Sequence, residues 1–194
     1  MSAPTSPPRG PAPGPVRADQ ELLDAHLAGE RAAFDELVRR HGDRLWSVAL
    51  RILRDPEDAK DVLQEAVVSA YRGAARFRGD ASVSTWLHRI VVNKCLDLVR
   101  SRRVRPPAAA RPAADLADPR DLAAGLVTRI TVTDALALLP VEQRVAVVLV
   151  DVQGCPVAEA AEILGIPAGT VKSRCARGRR RLAPILGHLW EEAP

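Results

Sequence analysis

Residues 105–124 read RPPAAARPAADLADPRDLAA, and Pro106, Pro107, Pro112 and Pro119 decide what the chain can fold into. Each proline lacks a backbone N–H and clashes with the carbonyl one turn back, so no continuous helix runs through this stretch. Its alanines and charges offer little surface for a core. The flanking residues therefore read as two bodies, 19–104 and 125–190, joined by a flexible linker over 105–124. Residues 1–18, MSAPTSPPRGPAPGPVRA, have the same character and are expected to form a disordered tail.

Neither body shows a convincing strand pattern, whereas both show helical periodicity. Aromatics are only 3% of the 194 residues, so the cores are built from Ala, Val, Leu and Ile. The expected fold class is all-α, with two small helical domains.

The first body offers four helices. Asp19 is a candidate cap for ELLDAHLAG, with Leu22, Leu23 and Leu27 on one side and Gly29 at the end. Glu30–Leu53 comes next, with Phe34, Leu37, Val38, Leu45, Trp46, Ala49, Leu50 and Leu53 apolar and Gly42 as a candidate break or bend. Asp55-Pro56 caps and starts a third helix that runs to about Arg72. The loop ARFRGDASVS leads to a fourth, from Thr85 to Arg103, with Leu87, Ile90, Val91, Cys95 and Leu98 expected inside.

Two surfaces of this body admit two readings each. On the third helix Ala59, Leu63, Ala66, Val67 and Ala70 point one way, while Asp58, Asp61 and Glu65, with Gln64 beside them, form an acidic row. That row is either an ordinary solvated face or a docking surface for a basic protein. On the fourth helix Arg89, Asn93, Asp97 and Arg100 cluster on one side, and Arg100, Arg102, Arg103 and Arg105 crowd the end. Cations there satisfy the helix dipole, and arginine forks also suit phosphates.

The second body reads VTDALALLP, then VEQRVAVVLVDVQG with Val145, Val148, Leu149 and Val152 on one face, then PVAEAAEILG with Val157, Ala160, Ala161 and Leu164. The turn GIPAG leads into GTVKSRCARGRRR, whose cations are interrupted by no acid. On a helix Val171, Cys175, Gly178 and Leu182 share a stripe, and Thr170, Ser173, Arg174, Arg177 and Arg181 lie opposite. Two short amphipathic helices joined by a glycine-containing turn, the second basic outside, form a helix-turn-helix. The net charge of +4 and an isoelectric point of about 9.4 lean toward an anionic partner.

These segments resemble an extracytoplasmic-function (ECF) sigma factor of bacterial RNA polymerase, in the sigma-70 family. DPEDAKDVLQEAVVSAYR resembles sigma region 2.2, FRGDASVSTWLHRIVVNKCLDLVRSRR regions 2.3 and 2.4, and LPVEQRVAVVLVDVQGCPVAEAAEILGIPAGTVKSRCARGRRRL region 4. STWLHRIVVNKCLD, LPVEQR and GTVKSRCAR are similar to the actinobacterial SigM-type group. The resemblance covers roughly residues 19–188. It implies docking on the core polymerase, its β′ coiled coil and β subunit, through Asp58, Asp61, Gln64 and Glu65. It implies −10 contacts and melting by the loop and fourth helix, with Arg76, Phe77, Arg78, Ser82, Ser84, Trp86, Arg89, Asn93, Arg100 and Arg103 as candidates. Phe77 and Trp86 are read first as core aromatics and second as stacking platforms. Region 4 implies −35 reading by Gly169, Thr170, Lys172, Ser173, Arg174, Arg177 and Arg181. Lys172 and Arg177 suit guanine edges, Arg174 and Arg181 phosphates. Ala176 stands where some relatives carry a larger side chain. An anti-sigma partner is a family expectation.

Other classes are disfavoured. His26, His41, His88 and His188 show no nucleophile–base or metal-ligand spacing, so no enzyme activity, metal or cofactor is expected. Cys155 and Cys175 are read as packing rather than as a redox pair. No run reaches membrane-span length and the N-terminus has no apolar signal core, so a cytoplasmic protein without membrane insertion is expected. A stand-alone helix-turn-helix regulator explains 155–183 but not the acidic third helix.

Overall fold

A computed structural model of the chain describes residues 17–104 and 132–186. The stretch expected to be a linker lies outside the described residues, as do 1–16, 125–131 and 187–190. The described elements are all helical. They are α1 (Asp19–Leu27), α2 (Arg31–Leu53), α3 (Pro56–Gly73), a 3₁₀ turn (Ala74–Arg76) and α4 (Val83–Val104), then α5 (Val132–Ala137), α6 (Val141–Val147), α7 (Val157–Leu164) and α8 (Ala168–Leu186). A π turn, Val148–Val152, prolongs α6.

Local chemistry explains the helix ends. Asp55 accepts from the backbone N–H groups of Glu57 and Asp58 at 2.9 and 3.0 Å, with Pro56 in the first turn. Asp19, expected as a cap, is instead the first helical residue. Ala18 holds the cap position and donates its N–H to Glu21 at 2.8 Å. The Asp19 carboxylate turns outward to Arg40 and His41 on α2, at 3.1 and 2.7 Å. Helix α2 does not break at Gly42, because Leu37, Leu45 and Val48 on either side are buried and packing overrides glycine's weak propensity. It ends where Arg54 adopts φ 67° and donates its N–H to Leu50 at 2.7 Å.

Helix α4 departs further from expectation. Leu87, Val91 and Cys95 are buried as read, but Ile90 and Leu98 are only partly buried. Thr85, His88 and Val92 are buried instead. With Leu96 and Val99 they recur at helical spacing and make a second inward stripe. That stripe has a second body to pack on. α4 lies against α7, and α2 lies against α5, α6 and the π turn, so the two bodies form one assembly rather than two detached units.

Polar contacts stitch the seam. Thr85 Oγ1 donates to Glu159 at 2.9 Å. Arg44 donates to the Gln153 carbonyl at 2.6 Å and to its side-chain oxygen at 3.1 Å. Arg144 donates to the carbonyls of Leu136, Ala137 and Leu139 in its own body and to that of Ile52 across the seam, all within 3.0 Å. One guanidinium thus satisfies carbonyls that α2 and α5 leave open at their C-terminal ends.

Within the second body α6 and α8 cross closely at Gly178. A Cβ there would lie 2.6 Å from Val147 Cγ2. Val152, expected inside, is 36% exposed, because the extra residue of the π turn rotates the backbone beyond it. On α7 Ala160 and Ile163 are the buried pair, with Val157, Ala161 and Leu164 partly covered.

Candidate nucleic-acid interface

Helix α7 ends at Gly165, whose φ of 62° reverses the chain, and the Ile166 N–H closes back on Ala161 at 3.1 Å. Pro167 then supplies the first carbonyl of α8 to Thr170 and Val171. Val171, Cys175, Gly178 and Leu182 are buried and fasten α8 to its scaffold. On the outside Gly169, Lys172, Ser173, Arg177 and Arg181 are exposed, and Thr170 and Arg174 are partly buried. From Ser173 through Arg177 to Arg181 the outward row extends about 12 Å along the axis, close to the width of a DNA major groove, and Lys172 stands on the flank of the helix. A Cβ on Gly169 would meet nothing within 4 Å, so the fold leaves this spot open to an approaching backbone.

The arginines of α8 are not equivalent. Arg177 folds back onto Ser173, its Nε 3.2 Å from the carbonyl and Nη2 3.3 Å from Oγ. Arg179 is held by Asp151 of the π turn at 2.7 and 3.2 Å, which aims it away from the outward row. Ser173 itself donates to the Thr170 carbonyl at 3.0 Å.

A second polar surface spans the loop before α4 and the helix itself. Arg76, Arg78, Ser82, Arg89, Asn93 and Arg100 are exposed, and Ser84 is partly buried. Ser82 Oγ accepts the Thr85 N–H at 3.0 Å and lies 2.7 Å from the Thr85 hydroxyl, so it caps α4. Arg100 pairs with Asp97 at 3.2 Å. Arg103 belongs to α4, and its side chain lies outside the described residues. Phe77 and Trp86 pack on the core edge with ring centroids 5.2 Å apart and tilted by 48°, both half-buried. Neither residue is fully buried, and both are packed against the core.

The acidic row of α3 is partly neutralised from within. Arg102 grips Asp58 through both terminal nitrogens, and Lys94 pairs with Glu65 at 3.2 Å. Asp61 and Gln64 are exposed. The three cysteines are free and buried. Burial pushes the Cys95 thiol up to about 12. Burial, with the Glu159 carboxylate beside it, does the same for Cys155, and burial also raises Cys175.

Comparison with known proteins matches residues 37–105 to sigma-70 region 2 and residues 129–182 to sigma-70 region 4. The ECF RNA polymerase sigma factor SigM of Mycobacterium tuberculosis H37Rv is 54% identical over 89% of this chain and 87% of its own. The chain belongs to the ECF sigma factors of bacterial RNA polymerase. The ECF sigma-E factor of Escherichia coli K12 is 32% identical, covering 84% of this chain and 92% of that protein. Among solved structures, CnrH in complex with the cytosolic domain of CnrY superposes with a TM-score of 0.67 at 30% identity, over 89% of this chain and 99% of the other. RpoE of Bartonella quintana, solved with the anti-sigma factor NepR, shares the fold at a TM-score of 0.61 and 22% identity, over 79% and 96% of the two chains.

Within this ECF sigma factor, the residues that sequence reasoning passed over are those of the seam: Arg44, Thr85, Arg144, Gln153 and Glu159. Two signals were available. The row Thr85, His88, Val92, Leu96, Val99 is a second helical stripe on α4, and Arg144 is a lone cation within the apolar run VEQRVAVV.

Proposed function

We propose that this ECF sigma factor is a dissociable initiation subunit that acts by binding, not by catalysis. The acidic row of α3, with Asp61 and Gln64 at its exposed centre, docks on the β′ coiled coil of core polymerase, and other surfaces meet β. The loop Arg76–Ser84 and the exposed face of α4 hold the −10 element as it opens, through Arg76, Arg78, Ser82, Ser84, Arg89, Asn93, Arg100 and Arg103. Part of the Phe77 and Trp86 rings stays open to a base, whose unpairing and unstacking costs a few kcal/mol. Helix α8 reads the −35 element with Lys172 and Arg177 on bases, Arg174 and Arg181 on phosphates, and Gly169, Thr170 and Ser173 at the groove edge. In this scheme residues 19–104 carry core and −10 binding, 125–190 carry −35 binding, and 105–124 connect them along the RNA exit path.

One observation carries the reading: an outward row of Ser173, Arg177 and Arg181, with Lys172 exposed on its flank, stands on a helix whose opposite side is buried. A structural helix needs the anchor but not the row. The solved relatives were captured with CnrY and NepR, which supports an anti-sigma factor as the partner that holds this protein in check. The action takes place in the cytoplasm, where the polymerase is. No helix among the described residues is long and apolar enough to cross a membrane.

Run-off transcription with purified core polymerase and a genomic promoter library tests the proposal. Specific transcripts that need both core and this protein are expected. A protein that binds duplex promoters but is not retained by core would instead be a stand-alone regulator.

A further inference from the structure

We propose that Asp151 of the π turn sorts the last arginines of α8, withholding Arg179 from DNA and leaving Arg180 as a further phosphate contact of that helix. The inference rests on the −35 reading above and adds to it two residues, Asp151 and Arg180, that take no part in that scheme.

Placement is the first argument. Nine residues after Val171, at about 100° per residue, Arg180 comes round to the side opposite the buried stripe. It shares that outermost line with Ser173, two turns earlier and about 10.5 Å away along the axis. Arg177 and Arg181 stand to one side of the line, Lys172 and Arg179 to the other. A major groove is about 12 Å wide. With Ser173 in the groove, a cation two turns further on meets the rim, where the phosphates lie, rather than a base edge. Arg180 is exposed, and no hydrogen bond or ion pair holds it among the described residues.

The state of Arg179 is the second. Its Nη2 and Nε donate to the two carboxylate oxygens of Asp151 at 2.7 and 3.2 Å. A phosphate would use the same two-pronged fork, so the carboxylate occupies the place of the ligand. The Arg179 side chain is 60% exposed, so it is this pairing and not burial that removes it from the surface on offer. Asp151 is delivered by the π turn that prolongs α6, a distortion of a kind that recurs at functional sites.

Charge is the third. A phosphate that displaced Asp151 from Arg179 would leave that carboxylate unpaired beside it, and the two anions repel. Arg180 faces no such rival on its own helix, because Ala168–Leu186 contains no acidic residue. The sorting has a use. Phosphate contacts strengthen binding to all sequences alike, so each cation withheld lowers non-specific affinity without touching discrimination.

The salt dependence of the holoenzyme tests this, with the full chain assembled on purified core and a promoter duplex recovered by run-off transcription as the probe. Arg180→Ala is expected to make the plot of log affinity against log salt shallower by about one on every promoter tried, and Arg180→Lys to keep the wild-type slope. Arg179→Ala is expected to leave the slope unchanged. Asp151→Asn is expected to steepen it by about one. Asp151→Asn with Arg179→Ala should return to the wild-type slope, which separates release of Arg179 from simple loss of a negative charge. The proposal is overturned if Arg180→Ala keeps the wild-type slope, or if Arg179→Ala lowers it as much as Arg180→Ala. It is also overturned if Asp151→Asn matches wild type or stays steeper in the double variant. Recovery of no promoter with core overturns the sigma-factor reading and this proposal with it, whereas a recovered promoter indifferent to Arg180 overturns this proposal alone.

Discussion

Arg102, in the last turn of α4, reaches Asp58 in the first turn of α3 and donates to its carboxylate through both terminal guanidinium nitrogens. The pair ties two helices of region 2 together at the edge of the surface proposed to meet polymerase. Its Arg102 side chain is 47% exposed, so the pair contributes no more than about 1 kcal/mol to stability. Asp61, one turn along and exposed, carries the charge most available to a partner. Asp61→Lys is expected to weaken core binding at least about tenfold with an unchanged thermal midpoint. Surface plasmon resonance on immobilised core reads the first and a melting curve the second, and an unaltered core affinity would remove α3 from the docking surface.

On α8, Lys172→Ala and Arg177→Ala are each expected to cost about 1–3 kcal/mol of discrimination at one −35 position. Arg181→Ala should instead weaken all sequences alike and lower the salt slope by about one. Fluorescence anisotropy with −35 duplexes across a salt series separates the two behaviours. Equal losses on every sequence for Lys172→Ala would reassign it to phosphate.

At Gly178 two effects oppose each other. Alanine gains about 1 kcal/mol of helix propensity. Its Cβ would sit 2.6 Å from Val147 Cγ2, the tip of a buried, β-branched side chain that cannot swing aside. Overpacking of this kind costs about 1–3 kcal/mol. Gly178→Ala is expected to lower urea stability by about 1 kcal/mol net, and Val147→Ala in the same chain to relieve part of the clash. A more stable single variant would show that α6 and α8 can part without penalty.

His88 is buried, and its pKa is held below the usual histidine value, chiefly by burial and also by the positive charge of Arg44 and the neighbouring His41 on α2. The Ser84 carbonyl and Glu159 of α7 act in the opposite direction without reversing the shift. The neutral ring is the folded form, so its contribution is intact above the ordinary histidine pKa of about 6.5. As the pH falls below that value the unfolded chain takes up a proton first, and stability drops until the folded pKa is passed. Wild type should lose stability between pH 7 and pH 5, and His88→Gln should flatten that slope. Parallel slopes for the two proteins would exclude His88 as the cause.

All three thiols should react slowly with a chromogenic disulfide reagent in the native state and rapidly in denaturant. Burial both blocks access and, with thiols raised as far as about 12 at Cys95 and Cys155, removes the thiolate. Stoichiometric fast labelling of the folded protein would contradict this packing.

Much of the architecture could be read from residue order alone, and the reason is period. A stripe such as Val171, Cys175, Gly178, Leu182 has one interpretation on a helix, and Asp55-Pro56 has one use at a helix start. Gly42 misled because propensity is worth less than the packing of Leu37, Leu45 and Val48 around it. Val152 misled because a π turn leaves no simple mark in the pattern, and Asp19 because a residue rich in hydrogen-bonding options had a better partner on α2. The α3 row could be read as acidic, but not that Arg102 and Lys94 answer two of its charges. Those cations come from a helix more than 25 residues away in sequence. The seam was missed for a related reason: each body had a plausible core of its own, so the surplus stripe on α4 found no use until a second body was placed against it.

That surplus stripe has a colloidal consequence. Leu96 and Val99, together with Val141, Val145, Leu164 and Ile166 opposite them, form an apolar strip that would be adhesive in water. Folded inward, the strip is withheld from water, so the packed arrangement is less adhesive than either body would be alone.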